Sequence, residues 1–375
     1  MAVTKTTTTS YGTRVKNSFG GIGTGIVMFL LGTALLWWNE GRAVKTAKAL
    51  EEAQGNAIHV ENVDEVDPSL NGQLIHATAQ TKVEDTLNDP EFGFSAQVIK
   101  IDRDVEYYQY EEYTESETKD KLGGSQETTT TYLYRKAWRS QPVNSEEFED
   151  PAYRGKNMTL MNFEDYSATA ENVTFGGYRL NASQIAGLTG YTPVKLDIED
   201  SNLKAWNNEI ANMLEGTAAK LVEENAQLAA SLEEAADSTA SDSAAAPVEI
   251  NDNRYKYVHV SNNVVYFGKN PSSPQIGDVR VTLRQVKPGL ASVLAVVNGD
   301  TFESYIAKNG NTVSMIRTGN VSMERMFKQA EETNTVWLWV CRIIGIMIVC
   351  GGLKGVFNIL STILKVVPFL ASIMN

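Results

Sequence analysis

Cysteine is almost missing from this 375-residue chain, and the two that occur, Cys341 and Cys350, share one apolar segment near the C-terminus. The long middle of the sequence has none. That excludes a disulfide framework and a thiol nucleophile there, so this part must fold by burying a core. Histidine is scarce as well. His59, His76 and His259 are scattered through polar sequence without metal-ligand spacing and read as surface or partly buried imidazoles, so the sequence assigns no metal.

Acidic residues are missing from both ends. Residues 1–38 carry Lys5, Arg14 and Lys16 and no Asp or Glu, and residues 336–375 carry Arg342, Lys354 and Lys365 and none either. All 46 acids lie between 39 and 335. An acidic body between basic, apolar ends argues against nucleic acid as a partner. It fits a folded module held beside a lipid bilayer. Catalytic signatures are lacking too: there is no G-x-S-x-G, P-loop, G-x-G-x-x-G or H-E-x-x-H. The many carboxylates read as solvated surface. The expectation is a protein that is not an enzyme, with no catalytic residue and no cofactor.

Long uncharged runs are present at two places. From Phe19 to Trp38 nothing is charged, and twenty residues of helix rise about 30 Å, the thickness of the hydrocarbon layer. Asn39-Glu40 follows instead of a small-residue cleavage site, so a retained anchor is expected rather than a cleaved signal peptide. Gly21 and Gly25 form G-x-x-x-G, which admits a close helix neighbour; a merely flexible apolar helix is the alternative. Trp37 and Trp38 mark the headgroup level. The same signal recurs as Trp337 and Trp339 at the start of "VWLWVCRIIGIMIVCGGL". Both tryptophan pairs face the acidic middle, so the chain leaves the membrane near Trp38 and returns near Trp337. Arg342, a few residues into the second run, snorkels toward the body or pairs within the bundle. After Gly351-Gly352, polar residues Lys354, Asn358, Ser361, Thr362 and Lys365 recur at steps of three and four, the pattern of a helix lying in the interface. The basic residues near the spans favour a cytoplasmic N-terminus, with the acidic body across the membrane; Arg42, Lys45 and Lys48 on the other flank weigh the other way.

The middle reads as strands with one helical interruption. "GQLIHATAQT" alternates as a strand. "SAQVIKIDRDVEYYQYEEYTES" and "ETTTTYLYRKAWRS", joined at Gly123-Gly124, form a long hairpin with a charged, mobile tip. Tyr107, Tyr110, Tyr132, Tyr134 and Trp138 read as cross-strand packing, with a ligand platform as the rarer alternative. Leu214, Leu221 and Leu228 recur every seven residues in an Ala/Glu-rich helix. "DSTASDSAAAP" is a low-complexity linker, and strands resume at Tyr255. "GQLIHATAQT" and "GDVRVTLRQV" share a pattern, a weak trace of duplication.

These readings give an α+β membrane protein in which transmembrane helices bracket a large β-rich extramembrane domain with a helical insertion. The expected order is an N-terminal tail (1–18), a first transmembrane helix (19–38), a helical stalk (39–70) and a β-rich subdomain (71–200). A helical insertion and linker (201–247) and a second β-rich subdomain (248–321) follow. Then come a connecting helix (322–335), a second transmembrane helix (336–353), an amphipathic interfacial helix (354–367) and the start of a further apolar segment (368–375).

"NEGRAVKTAKALEEA", just after the first span, resembles the signature of the transmembrane protein 43 family, also called LUMA. "YYQYEE", "AWRS" with Asn144, Ser145 and Phe148 after it, "GDVRV" at 277–281 and Trp337 follow in the same order. Asn39-Glu40-Gly41-Arg42-Ala43 is the most specific element. The resemblance implies a multi-pass scaffold that self-associates and organises membrane protein complexes, with lamins and emerin as partners of the animal members and no established enzymatic activity. It also implies two more transmembrane helices beyond Asn375, so that the chain is truncated or a shorter form. Composition and the larger insertion at 202–246 point to a bacterial relative. For such a relative, lamin and emerin do not carry over, and the location is the cell membrane rather than the endoplasmic reticulum and inner nuclear membrane.

The expected function is therefore a membrane scaffold whose partners are the bilayer, further copies and other membrane proteins. Trp37, Trp38, Asn39, Glu40, Gly41, Arg42, Trp337, Trp339 and Arg342 are the interface and motif residues, and Gly21 and Gly25 the helix-packing residues. A membrane-associated enzyme or lipid-handling protein, working at the domain–bilayer junction through Arg342, Glu40 and Arg42, is the rival. A sensor using the hairpin tip around Lys119–Gln126 is a third.

Overall fold

A computed structural model describes the backbone of residues 3–231 and 255–364, with side chains described for 3–216 and 255–358. The linker "DSTASDSAAAP", Leu232, Lys365, Pro368 and the terminal apolar segment lie outside the described residues, and the side chains of Leu221 and Leu228 outside the described side chains.

Two long helices dominate one side. Helix α1 runs unbroken from Tyr11 to Asn56, so the first span and the stalk are one rod. Ser10 caps it, its hydroxyl accepting from the Thr13 amide. The last turns of α1 do not project freely as the sequence implies. Ala49, Leu50 and Ala53 are buried with Leu74, Leu294, Val296, Met326 and Phe327, which docks the helix on the body. A short helix, α2 (Ala182–Gly187), and a long one, α3 (Asp200–Ser231), follow. Leu203 and Ile210 of α3 are buried and Trp206 packs beside them, over one sheet face with Phe92, Phe163 and Phe267.

Helix α4 runs from Met323 to Leu364 without a break. The sequence reading ends a span at 353 and starts a separate interfacial helix. The structure instead carries the helix straight through Gly351-Gly352, because those glycines are where α1 approaches and the contact holds the backbone helical.

Among the described residues there are two large sheets and two small two-stranded ones. In the first, the order is Val3–Thr9, Gln126–Arg139, Lys100–Asp120, Val279–Val286, Val264–Phe267 and Val258–Ser261. In the second, Leu290–Asn298, Thr301–Glu303, Tyr178–Arg179, Val173–Phe175 and Leu74–Val83 follow one another, and the further pairing of Leu290–Asn298 with Leu74–Val83 closes these five strands into a ring. Ile75, Ala77, Phe175, Tyr178, Val293, Ala295 and Phe302 fill its core. The segments 71–200 and 248–321, read from sequence as two subdomains, are thus interleaved. Lys100 pairs with Val286 in one sheet and Ala77 with Val293 in the other. The two look-alike stretches sit in different sheets.

The hairpin is an arm. Its first strand is 21 residues long, about 70 Å at 3.3 Å per residue. Its root is packed: Tyr107 is buried and donates to the Phe163 carbonyl, Tyr134 stacks on Tyr153 at 4.1 Å, and Trp138 lies under Arg280 at 4.3 Å. Beyond Tyr113 the ladder continues regularly to the Asp120–Gln126 pair. The tip is not loose as the sequence implies. Arg14 donates to the Gly124 carbonyl at 2.7 Å and pairs with Asp120 at 2.9 Å. Nor are residues 3–18 a separate tail: they divide between a strand and the start of α1. Val3–Thr9 is a third strand of the arm, in register from Val3–Tyr132 to Thr9–Gln126, and Lys5 reaches Glu149 at 2.7 Å.

Candidate functional site: the junction of the helix pair and the body

The helix pair is built on small residues. On α1 the buried positions Ser18, Gly25, Gly32, Asn39 and Ala43 mark one narrow seam facing α4. Gly21 faces the Gly355 carbonyl, Gly25 faces Gly352 and Gly355, Gly32 faces Val349 and Gly345, and the Leu36 side chain covers Gly345. The G-x-x-x-G neighbour is therefore a helix of the same chain. Sequence reasoning found Gly21 and Gly25; it missed Gly32, Gly345, Gly352 and Gly355, which only their spacing against α1 identifies. Outside the seam both helices are bare, with Leu30, Leu31, Ile343 and Met347 exposed. Both are long and apolar enough to cross a membrane.

At the body end the seam turns polar, and the Asn39–Ala43 motif supplies the residues. Asn39 is fully buried, and its Nδ2 donates to the Leu338 carbonyl of α4 at 2.9 Å. Its Oδ1 accepts from Arg42 Nε and Nη2 at 3.4 and 3.2 Å. Arg42 Nη1 donates to Asn334 Oδ1 at 3.1 Å, and Asn334 Nδ2 donates back to the Ala43 carbonyl at 3.0 Å. Ala43 is buried; a larger side chain there would hold the helices apart. Arg342 makes a two-pronged contact with Glu40, Nε to Oε1 at 2.6 Å and Nη2 to Oε2 at 2.9 Å, so it pairs within the bundle rather than snorkelling alone. Its guanidinium also lies 4.8 Å from the Trp339 ring. Asn334 went unnoticed in the sequence, where nothing distinguishes it from other polar residues before the second span. A Cβ at Gly41 would meet open space; nothing in the structure explains the glycine.

Trp37, Trp38, Trp337 and Trp339 are all exposed, Trp37 at 82%. They ring the polar lock from outside, at one level of the helix pair. Trp37, Trp38, Glu40, Gly41, Arg42, Val44, Lys45 and Asn311 line an open groove of about 780 Å³. No cluster of three or more metal-ligating side chains occurs among the described residues. The junction can fasten two apolar helices to each other and to a folded body. Nucleophile-and-base geometry does not occur among the contacts just described.

Comparison with known proteins agrees with this architecture. The family model for Transmembrane protein 43 matches residues 107–375. Transmembrane protein 43 of Rattus norvegicus is 27% identical over 373 residues, covering 96% of this chain and 80% of the relative. The Homo sapiens protein is 26% identical over 375 residues with the same coverage, and the Drosophila melanogaster homolog 23% identical over 355 residues, covering 93% of this chain and 80% of its own length. No solved structure matches the chain. With apolar helices at both ends of a β-rich body and a family match over most of its length, the chain belongs to the transmembrane protein 43 family of membrane proteins.

Proposed function

We propose that this protein is a multi-pass scaffold that self-associates in the membrane and organises membrane protein complexes through its body. The arm carries this reading. Its tip rests on Arg14, at the far end of the apolar stretch from Trp38, which is 24 residues or about 36 Å of helix away. When residues 19–38 occupy the hydrocarbon, the arm passes the same depth. It is a three-stranded sheet rich in threonine and glutamate, with open edges along Val3–Thr9 and along the outer part of Lys100–Asp120. Lipid offers such edges no hydrogen bonds, and irregular or open-edged backbone survives at that depth only within protein or beside water. Neighbouring copies supply that cover if arms face inward and the bare helix faces meet lipid. The location follows the source: the cell membrane for a bacterial chain, the endoplasmic reticulum and inner nuclear membrane for a eukaryotic one.

Chemical cross-linking in native membranes tests the proposal. Ladders of two or more copies are expected, and Thr7→Cys and Glu115→Cys copies, made in a background without Cys341 and Cys350 and expressed together, should join through a short thiol cross-linker. A strictly monomeric protein with no co-purifying partner would end it.

One observation favours a lipid-handling role. The groove beside Trp37 and Trp38 presents Arg42 and Lys45 at the headgroup level, a setting for an anionic headgroup. Flotation with vesicles containing phosphatidylserine, compared with vesicles of phosphatidylcholine alone, separates this from simple anchoring. Equal recovery after Arg42→Gln and Lys45→Gln would remove it.

A further inference from the structure

The parallel pairing of Ile58–Val60 with Leu74–Val83 sets His59 directly beside His76, although they stand 17 residues apart in the sequence. Their Nδ1 atoms are 2.9 Å apart, and the rings lie 5.1 Å centroid to centroid. His76 is buried, and its Nε2 lies 2.9 Å from the Val321 carbonyl. A carbonyl accepts only, so Nε2 carries the proton and Nδ1 of His76 presents a lone pair. His59 is exposed and offers its own Nδ1 lone pair in the tautomer that carries the proton on Nε2. At this distance the pair is either an N–H···N hydrogen bond, with His59 Nδ1 donating, or two facing lone pairs able to share a metal ion.

We propose that His59 and His76 form a binding site for a divalent transition ion of tetragonal preference, with Cu2+ the tightest occupant. Imidazole nitrogens suit this class, and affinity peaks at copper in the first-row series. Two nitrogens at about 2.0 Å from one ion stand roughly 2.8 Å apart when they are cis in a square plane and about 3.3 Å apart at a tetrahedral angle. The observed separation matches the former. The second shell is in place as well: a ligating histidine usually donates its other N–H to a carboxylate or backbone carbonyl, as His76 does to Val321. Exposure of His59 gives the ion a path from solvent. The Glu324 carboxylate acts on both rings and adds negative charge nearby. It is not a third protein ligand, since no group of three or more candidate ligands is placed together among the described residues, and water completes the coordination.

The position gives the site a consequence. His59 follows α1 directly, and Val321 precedes α4 by two residues. An ion here fastens the exit of one long helix to the start of the other through the closed ring of strands.

Titration of the purified full chain with Cu2+ tests the site, read by calorimetry and by electron paramagnetic resonance. One equivalent is expected, with a tetragonal spectrum split by two nitrogens, and thermal unfolding should move upward. His59→Gln and His76→Gln should each weaken binding about tenfold or more, while His259→Gln should leave it unchanged. Far-UV circular dichroism confirms folding of each variant, and His59→Gln, at an exposed strand position, keeps the test open if His76→Gln does not fold. No binding, or binding that survives both substitutions, would overturn the proposal and leave the pair bridged by a proton.

Discussion

Gly25 and Gly352 meet back to back across the helix pair. A Cβ at Gly25 would lie 2.6 Å from the Gly352 carbonyl oxygen, and one at Gly352 would lie 2.6 Å from the Phe29 amide nitrogen. Backbone this close leaves no room for a methyl group. Gly25→Leu should therefore push α1 and α4 apart, at a cost of roughly 1–3 kcal/mol for the crowding. A cysteine pair at Leu36 and Gly345 reports the separation: disulfide formation that is efficient in the parent background should fall in Gly25→Leu. Unchanged cross-linking would mean that the seam does not depend on the glycines.

Phe327 fixes the base of α4. It is buried with Met326 against Ala49, Leu50 and Leu294. Phe327→Ala should destabilise the joint between helix and body by about 3–5 kcal/mol, the range for removing a buried aromatic ring. Hydrogen exchange should show the loss first in Ala49–Ala53 and Met323–Ala330, before the strands of the ring. Uniform loss across the body would show that the joint is no separate unit.

Arg14 holds the tip of the arm through Gly124 and Asp120. A charged hydrogen bond of this kind contributes about 1.5–3 kcal/mol, so Arg14→Ala should raise trypsin cleavage after Lys119 and Lys121 by about tenfold or more. Arg14→Lys keeps the charge but replaces the planar head from which Nη1 reaches both partners, and should fall between. Cleavage rates identical to the parent would show that the arm stays ordered without its clamp.

Asp278 gives a pH signature. Its Oδ2 accepts from the Tyr266 hydroxyl and from the Gln275 amide at 2.7 Å, and it is buried. Burial pushes its pKa up from the ordinary carboxylate value. The folded chain then holds this proton more firmly than the unfolded chain, so the contribution to stability is greatest below the ordinary value and declines as pH rises through the raised one. Asp278→Asn removes the titration. Urea unfolding between about pH 4 and pH 7 should show parent stability falling relative to Asp278→Asn as pH increases. Parallel curves would contradict the burial argument.

Several features were legible from the residues alone. Uncharged length marked the helices, tryptophan pairs marked their level, and the Asn39–Ala43 motif named residues that the structure places in the polar lock. Strand periodicity located most of the sheet segments. The body-side end of α1 was misjudged because Ala49, Leu50 and Ala53 look like ordinary helix formers; their burial depends on Leu74 and on the distant Leu294, Val296, Met326 and Phe327. The helix break expected after Gly351-Gly352 failed for a related reason, since glycine weakens an isolated helix but admits a close neighbour.

Local sequence determined which parts of this chain are helix, which are strand and which are apolar enough to enter lipid, because those properties depend on neighbouring side chains. The tertiary structure decided what meets what: Gly25 with Gly352, Asn39 with Leu338, His59 with His76, and the N-terminal strand with the arm. Those contacts join residues 17 to 327 positions apart. No period or composition encodes them, because pairing of distant strands and helices is set by the shared core they bury and by the backbone groups they must satisfy.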